Sequence, residues 1–415
     1  MNAPYETTMR MFDAYERRFA AARTAKPFAI SASDADRARI LANTKKILGW
    51  RDELIPTVHN LREVSSRRFD GYTVTELLYE TWEGCHVPAT LTMPDGDGKR
   101  PLVFLFCGHG KLGRRTASYQ YLPHLLARMG IASISPDNIG QGDREMMGHT
   151  HAWEPFYAGL TLQGLIVMEA VALIRHMQRD PRIDASRMGS CGNSGGGTLN
   201  LFLAAMAPEL SALSASGYPT EFWYILSKER RHCACNLLPG SCHLAEMWEV
   251  LSLFAPKPIL LEQGLNDNLI PVDLSYRNAR KVRAVYEAMD AAANCRHAIT
   301  QTLHSWETAD WKQMAAFFGE VFGAAVPEDF EADESLLSGD AGIVALPADA
   351  IDTAELVYRL TGVRAPAEPH LWDIFPPTLD GRPMDPDDYL PDLGRGPLLQ
   401  VFAQMECALA EDFGK

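Results

Sequence analysis

No apolar run in this chain approaches the ~18 residues needed to cross a bilayer, and basic residues are in deficit, with 39 Lys and Arg against 53 Asp and Glu in 415 residues. The first absence argues against a membrane-spanning protein. The second argues against nucleic acid as a partner, because phosphates need a cationic face. The opening stretch MNAPYETTMRMFDAYERRF is studded with charges and lacks the apolar heart of a signal peptide, so the expected location is the cytoplasm. Cysteine is also sparse. Eight thiols in a chain this long, without a secretion signal, are expected to be free rather than a disulfide framework. Three of them crowd into HCACNLLPGSCH at 232–243, but the Cys-x-Cys spacing and embedded Pro-Gly do not match the paired Cys-x-x-Cys knuckles of zinc sites. The expectation there is packed thiols in a compact loop, with no metal, and no cofactor is expected anywhere.

What the chain does contain is enough apolar residue, 47%, to bury a sizeable core. The charge is unevenly placed. Residues 324–415 hold 19 acidic and 5 basic side chains, while the remaining 323 residues balance at 34 of each. That tail also carries 10 of the 26 prolines, yet DTAELVYRLTG and PLLQVFAQMECALAEDF within it have helical spacing. It is read as an acidic, partly helical appendage, expected to contact the body or to join two copies as a homo-oligomer. Residues 1–60 read as a helical extension, with apolar positions near every third or fourth residue in DADRARILANTKKILGWRDEL.

Between these ends lies a body, 61–323, that changes style part-way. YTVTELLYETWEGCHVPATLTMPDGDG (72–98) has short β-branched and aromatic runs broken by Glu-Gly and Asp-Gly, which predicts antiparallel hairpins. From about residue 100, continuous apolar runs such as LVFLF, IASIS, RMGSC and PILLE alternate with helical stretches. Buried parallel strands separated by helices give this rhythm, so the fold class is α/β, a mostly parallel sheet with helices on both faces. Residues 219–256 are expected to form a cap-like insertion.

Gly192-Asn193-Ser194-Gly195-Gly196 satisfies G-x-S-x-G, with an apolar strand candidate ending at Cys191 and a helix candidate starting directly after. Such a turn holds a serine in a strained conformation with its oxygen exposed, and small residues two before and two after avoid backbone clashes. The Gly195 N–H then opens a helix and can face a developing oxyanion. A serine hydroxyl needs a base, itself oriented by a carboxylate. In the order Ser, acid, His, the acid candidate is Asp267, in the turn after KPILLEQG; Glu262 lies within the strand and Asp273 beyond Pro271. The base candidate is His304, which closes the apolar stretch RHAITQTLH that His297 opens. A second oxyanion donor is expected from the His109 backbone N–H in LVFLFCGHGKLG, with no acid–base role for its side chain. Gly197 exceeds what the motif needs, and helix packing against a neighbouring strand is the expected reason. Trp153, Trp223 and Tyr224 are candidate substrate-binding aromatics that could equally be core.

The stretches CGHGKLG, PDNIGQGDRE, DPRIDASRMGSCGNSGGG, CNLLPG, APKPILLEQGLNDNLIPV and LHSWE resemble the acetyl-xylan-esterase-like branch of the α/β-hydrolases, relatives of the dienelactone hydrolases, over about residues 60–323. Cys107 stands where many relatives carry histidine. The resemblance implies an eight-stranded sheet, a Ser-His-Asp triad on Ser194, His304 and Asp267, and hydrolysis of a small-molecule ester. The same triad could act on an amide or a C–C bond of a small metabolite, and a non-catalytic scaffold is the remaining alternative.

Overall fold

The computed structural model describes residues 32–149, 152–226 and 233–367, together with the backbone of 378–379 and 382–383. The Trp223 side chain, a candidate from the sequence, lies outside what is described, as do residues 1–31 of the helical extension and most of the tail after 367.

β1 (His59–Phe69), β2 (Tyr72–Glu80) and β3 (His86–Pro94) run antiparallel, and β3 pairs antiparallel with β5 (Ala132–Pro136). β4 (Arg100–Phe106), β5, β6 (Ile183–Asn193), β7 (Ala212–Ser216), β8 (Ile259–Gly264) and β9 (Cys295–Thr300) are parallel. Together they make one sheet in the order β1-β2-β3-β5-β4-β6-β7-β8-β9. The sheet therefore has nine strands rather than eight. The additional strand is β1, whose sequence HNLREVSSRRF is polar and exposed for most of its length. A charged edge strand resists further pairing, and it carries no apolar alternation by which to be read. The inner strands β5, β7 and β8 are buried at every position.

Helices cover both faces, as the alternation along β4 demonstrates. Leu102, Phe104 and Phe106 enter one apolar cluster, whereas Val103 and Leu105 enter another with α2 (Ala117–Arg128). α6 (Thr308–Phe322), two helices beyond α4 (Gly195–Met206), buries Trp311, Met314, Ala315, Phe318 and Phe322 on that second face. Burying each of the Met and Phe side chains contributes about 1.5–3 kcal/mol. α3 (Leu162–Met177) lies on the first face, and α5 (Val272–Ala288) bridges β8 and β9. None of the helices described is long and apolar enough to cross a membrane.

Both ends of the described chain pack on this body. α1 (Asp34–Leu48) is capped by Ser33, whose hydroxyl accepts the Asp36 N–H at 3.2 Å, and Arg37 donates to the carbonyls of Ser252, Leu253 and Ala255. The inserted segment before β8 is thereby held from behind. Beyond α6, Arg67 donates to Leu337 O at 3.0 Å, Arg114 to Gly342 O at 2.7 Å, and Ile351 N to Gly84 O at 3.0 Å. α7 (Thr353–Thr361) follows, with Leu356 and Val357 in the main core.

Candidate active site

The carboxyl ends of β6, β8 and β9 meet at one edge of the sheet, and each releases a residue named above. Ser194 leaves β6 at φ 55° and ψ −116°, one of few non-glycine residues at positive φ among those described. Such backbone costs about 1–3 kcal/mol and persists only where its surroundings over-determine it. Here they do. Ser194 N–H donates to Ser216 O on β7 at 3.0 Å, and Thr198 N–H returns to Ser194 O at 2.8 Å. Ser216 Oγ in turn accepts from Trp306 Nε1 at 2.8 Å, tying the turn to the chain just past His304.

The glycines around the serine answer to close approach. A Cβ on Gly196 would run into the Phe106 carbonyl, and one on Gly192 into the Gly196 carbonyl. A Cβ on Gly197 would meet Ser216 O on β7, so helix-on-strand packing does account for the third glycine. Gly196→Ala is expected to lower stability by about 3 kcal/mol, at the upper end of typical overpacking costs, because the obstacle is backbone and cannot rotate away. Thermal unfolding of the variant with an intact-fold control checks this; a midpoint equal to wild type would show that α4 can shift freely.

His304 sits four residues past β9. Its Nε2 lies 2.8 Å from Ser194 Oγ and its Nδ1 2.7 Å from Asp267 Oδ2. Asp267 follows β8 and is buried, its side chain 1% exposed. Its Oδ1 accepts the N–H groups of Leu269 and Ile270 at 2.8 and 2.9 Å, and its Oδ2 also accepts Gln263 Nε2 at 2.9 Å. Burial alone would raise its pKa, but His304 and the two backbone N–H donors outweigh it and hold the carboxyl below its ordinary value. Because Asp267 can only accept, Nδ1 of His304 must donate, which leaves the Nε2 lone pair facing the serine hydroxyl.

The alternatives fall elsewhere. Glu262 is buried inside β8 and does not touch His304, Asp273 is exposed in the first turn of α5 and pairs with Arg277 at 3.7 Å, and His297 lies against the Tyr276 ring. Trp153 is packed in the core, tilted against Phe156. Tyr224 is half-buried and donates to Leu269 O at 2.9 Å, beside the Asp267 loop.

On the other side of Ser194 runs the loop after β4. A Cβ on Gly108 would lie 2.8 Å from Ser194 Cβ, and one on Gly195 would lie 2.8 Å from the His109 ring. Gly108 therefore flanks the serine, and the His109 ring flanks the start of α4. Gly195 opens α4, so its N–H has no partner within the helix. Cys107 is buried beneath this loop, and burial pushes its thiol well up.

A strand–turn–helix serine, an acid after β8 and a histidine after β9, all on the carboxyl edge of a mostly parallel sheet, decide the architecture. This is an α/β-hydrolase fold. The acetyl xylan esterase (AXE1) family model matches residues 56–223. A Bacillus subtilis (strain 168) protein, YtaP, whose name places it among hydrolases, is 24% identical over 196 residues, which are 46% of this chain and 65% of that protein. The chain thus spans about two thirds of that relative's length. Among solved structures, the methylesterase BT1017 matches with a TM-score of 0.64 at 21% identity, over 84% of this chain and 78% of that one. A glucuronoyl esterase from Solibacter usitatus gives 0.54 at 14%, over 69% and 92%. Acetyl xylan esterase 1 from Thermoanaerobacterium sp. gives 0.51 at 16%, over 71% and 100%. At these identities the structural likenesses speak to the fold.

One cluster was not legible in the sequence. His109 and His149 meet Cys233 and Cys235 beside the serine, all four donor atoms within 4.8 Å of one another. Cys233 and Cys235 are therefore not simply packed against apolar neighbours, as the sequence led one to expect.

Proposed function

We propose that this protein is a serine hydrolase of carboxylic esters. The observation that carries the reading is the chain of contacts Ser194 Oγ–His304 Nε2 and His304 Nδ1–Asp267 Oδ2, at 2.8 and 2.7 Å, on the carboxyl edge of the sheet. Ser194 attacks the ester carbonyl while His304 Nε2 takes its proton, and Asp267 holds the imidazole and stabilises its charged form. The N–H groups of Gly195 and His109 receive the oxyanion. His304 then protonates the departing alcohol, leaving an acyl group on Ser194, and a water activated by the same imidazole releases it as the acid.

The names of the similar proteins support the bond type. Acetyl xylan esterases are named for acetyl esters on xylan hydroxyls, whereas glucuronoyl esterase and methylesterase are named for esters of a sugar acid or of methanol. The feature these names share is the carboxylic ester bond. A panel of p-nitrophenyl acetate and butyrate, the matching anilides and a β-diketone tests the ester reading. The short esters are expected to turn over well above the buffer rate and the other two classes not; preferential cleavage of the anilide or the diketone would replace the ester reading with that bond.

A further inference from the structure

We propose that His109, His149, Cys233 and Cys235 form a zinc site that binds the walls of the candidate active site together. This goes beyond the esterase reading and does not depend on it, since metal content is measured without substrate.

The donor atoms are already gathered. His109 Nε2 lies 3.0 Å from His149 Nε2, 3.0 Å from Cys233 Sγ and 3.2 Å from Cys235 Sγ. Cys235 Sγ is 3.2 Å from His149 Nε2 and 2.9 Å from Cys233 Sγ. These are five of the six edges of a compact donor set, all four atoms lying within 4.8 Å of one another. Zinc at its centre, with Zn–N of about 2.0–2.1 Å and Zn–S of about 2.3 Å, needs edges of roughly 3.3–3.8 Å. The five short edges would lengthen by roughly 0.3–0.9 Å to reach those values. The two sulfurs stand too far apart for a disulfide, whose bond is about 2.05 Å.

The chemistry of the set favours zinc. Two imidazoles and two thiols are a borderline-soft, four-donor set without a carboxylate, which suits zinc and disfavours magnesium or calcium. Binding releases the two thiol protons and leaves two thiolates and two neutral imidazoles around a divalent ion, a site of zero net charge. That neutrality suits the partly buried position, where Cys235 and His149 are buried and only His109 is exposed. With four protein ligands the coordination is closed, the pattern of a structural site.

The surroundings are those of an oriented ligand. His149 Nδ1 lies 2.7 Å from the Ile139 carbonyl, so it donates there and turns the lone pair of Nε2 into the cluster. Gln141 Nε2 stands 3.4 Å from that Nε2, a weaker contact that the metal would displace. Asn236 Nδ2 donates to Cys233 Sγ at 3.7 Å, as N–H groups do to metal-bound thiolates. His149 ends a loop that is itself fixed. Buried Arg144 reaches Asp137 O at 3.0 Å and Glu169 at 2.6 Å, and buried Arg114 holds Asp137 and Asp143.

Position gives the site its consequence. His109 comes from the loop after β4, His149 from the loop after β5, and the cysteines from the segment between β7 and β8. The His109 ring lies against Gly195, the residue after the candidate nucleophile, and the His109 amide is the candidate second oxyanion donor. A metal here would fix that amide and clamp the inserted segment over the serine. No knuckle spacing announces the site because its ligands come from three separated segments, His109 and Cys235 being 126 residues apart.

The full-length chain, produced in zinc-supplemented medium and desalted, is expected to carry about one zinc per chain by elemental analysis, as a structural site does. Cobalt(II) exchanged into it should give a thiolate-to-metal charge-transfer band and tetrahedral d–d bands. Titration with a mercurial should release the zinc as Cys233 and Cys235 react. Cys235→Ser should lose most of the metal, while Cys295→Ser, a buried cysteine in β9 outside the cluster, should keep it. The wild-type measurements stand even if Cys235→Ser fails to fold. Folded wild-type protein that takes up neither zinc nor cobalt, whether its thiols titrate freely or have closed a Cys233–Cys235 disulfide, would overturn the proposal.

Discussion

Ser194→Ala is expected to lower kcat on a short p-nitrophenyl ester by about 10⁴–10⁶-fold, to the level that binding and oxyanion stabilisation alone supply. The fold survives the change. Alanine meets the same positive φ as serine, and the bonds that hold the turn, Ser194 N–H to Ser216 O and Thr198 N–H to Ser194 O, belong to the backbone. KM should move little, because the hydroxyl acts in the transition state rather than in substrate binding. Single-turnover kinetics beside circular dichroism give the answer. A variant that keeps more than a tenth of wild-type kcat while folded would mean that another nucleophile, or a directly activated water, does the work.

Asp267→Asn is the second large effect, about 10⁴-fold in kcat by the cost of a wrong histidine tautomer. The local geometry forces that tautomer. Oδ1 is committed to two backbone donors, the N–H groups of Leu269 and Ile270, so an asparagine must keep its oxygen there and present its NH₂ to His304. Nδ1 must then accept, the imidazole proton moves to Nε2, and Nε2 can no longer take the serine proton. Gln263, whose Nε2 now donates to Oδ2, would face a donor and must turn its amide over. The expected signature is a collapse of kcat near neutrality with partial recovery at high pH, where hydroxide can deprotonate the relay. A pH–rate profile of the variant checks it, and near wild-type kcat at pH 7 would remove Asp267 from the relay.

The sequence was readable where burial imposes a pattern. Strands β4, β5, β7 and β8 are apolar at consecutive positions because helices cover both faces, and the runs LVFLF, IASIS, LSALSAS and PILLE follow from that. The glycines of GNSGGG were readable because the Phe106 and Ser216 carbonyls, the His109 ring and the turn's own backbone leave no room for a Cβ. β1 was not, since a solvated edge strand selects charge rather than alternation. Aromatic residues gave no means of telling pocket from core: Trp153 proves buried, while Tyr224 stands beside the Asp267 loop. Of the His109–His149–Cys233–Cys235 cluster the sequence offered only the two cysteines, whose Cys-x-Cys spacing argued against a metal; tertiary folding brings the two histidines to them.

In the proposed mechanism Ser194 becomes covalently acylated. Wild-type protein treated with a fluorophosphonate is expected to gain one adduct by intact mass, with peptide mapping placing it on Ser194, and Ser194→Ala and His304→Ala should label at background rates. An adduct on another residue, or no adduct on folded wild-type protein, would contradict the account.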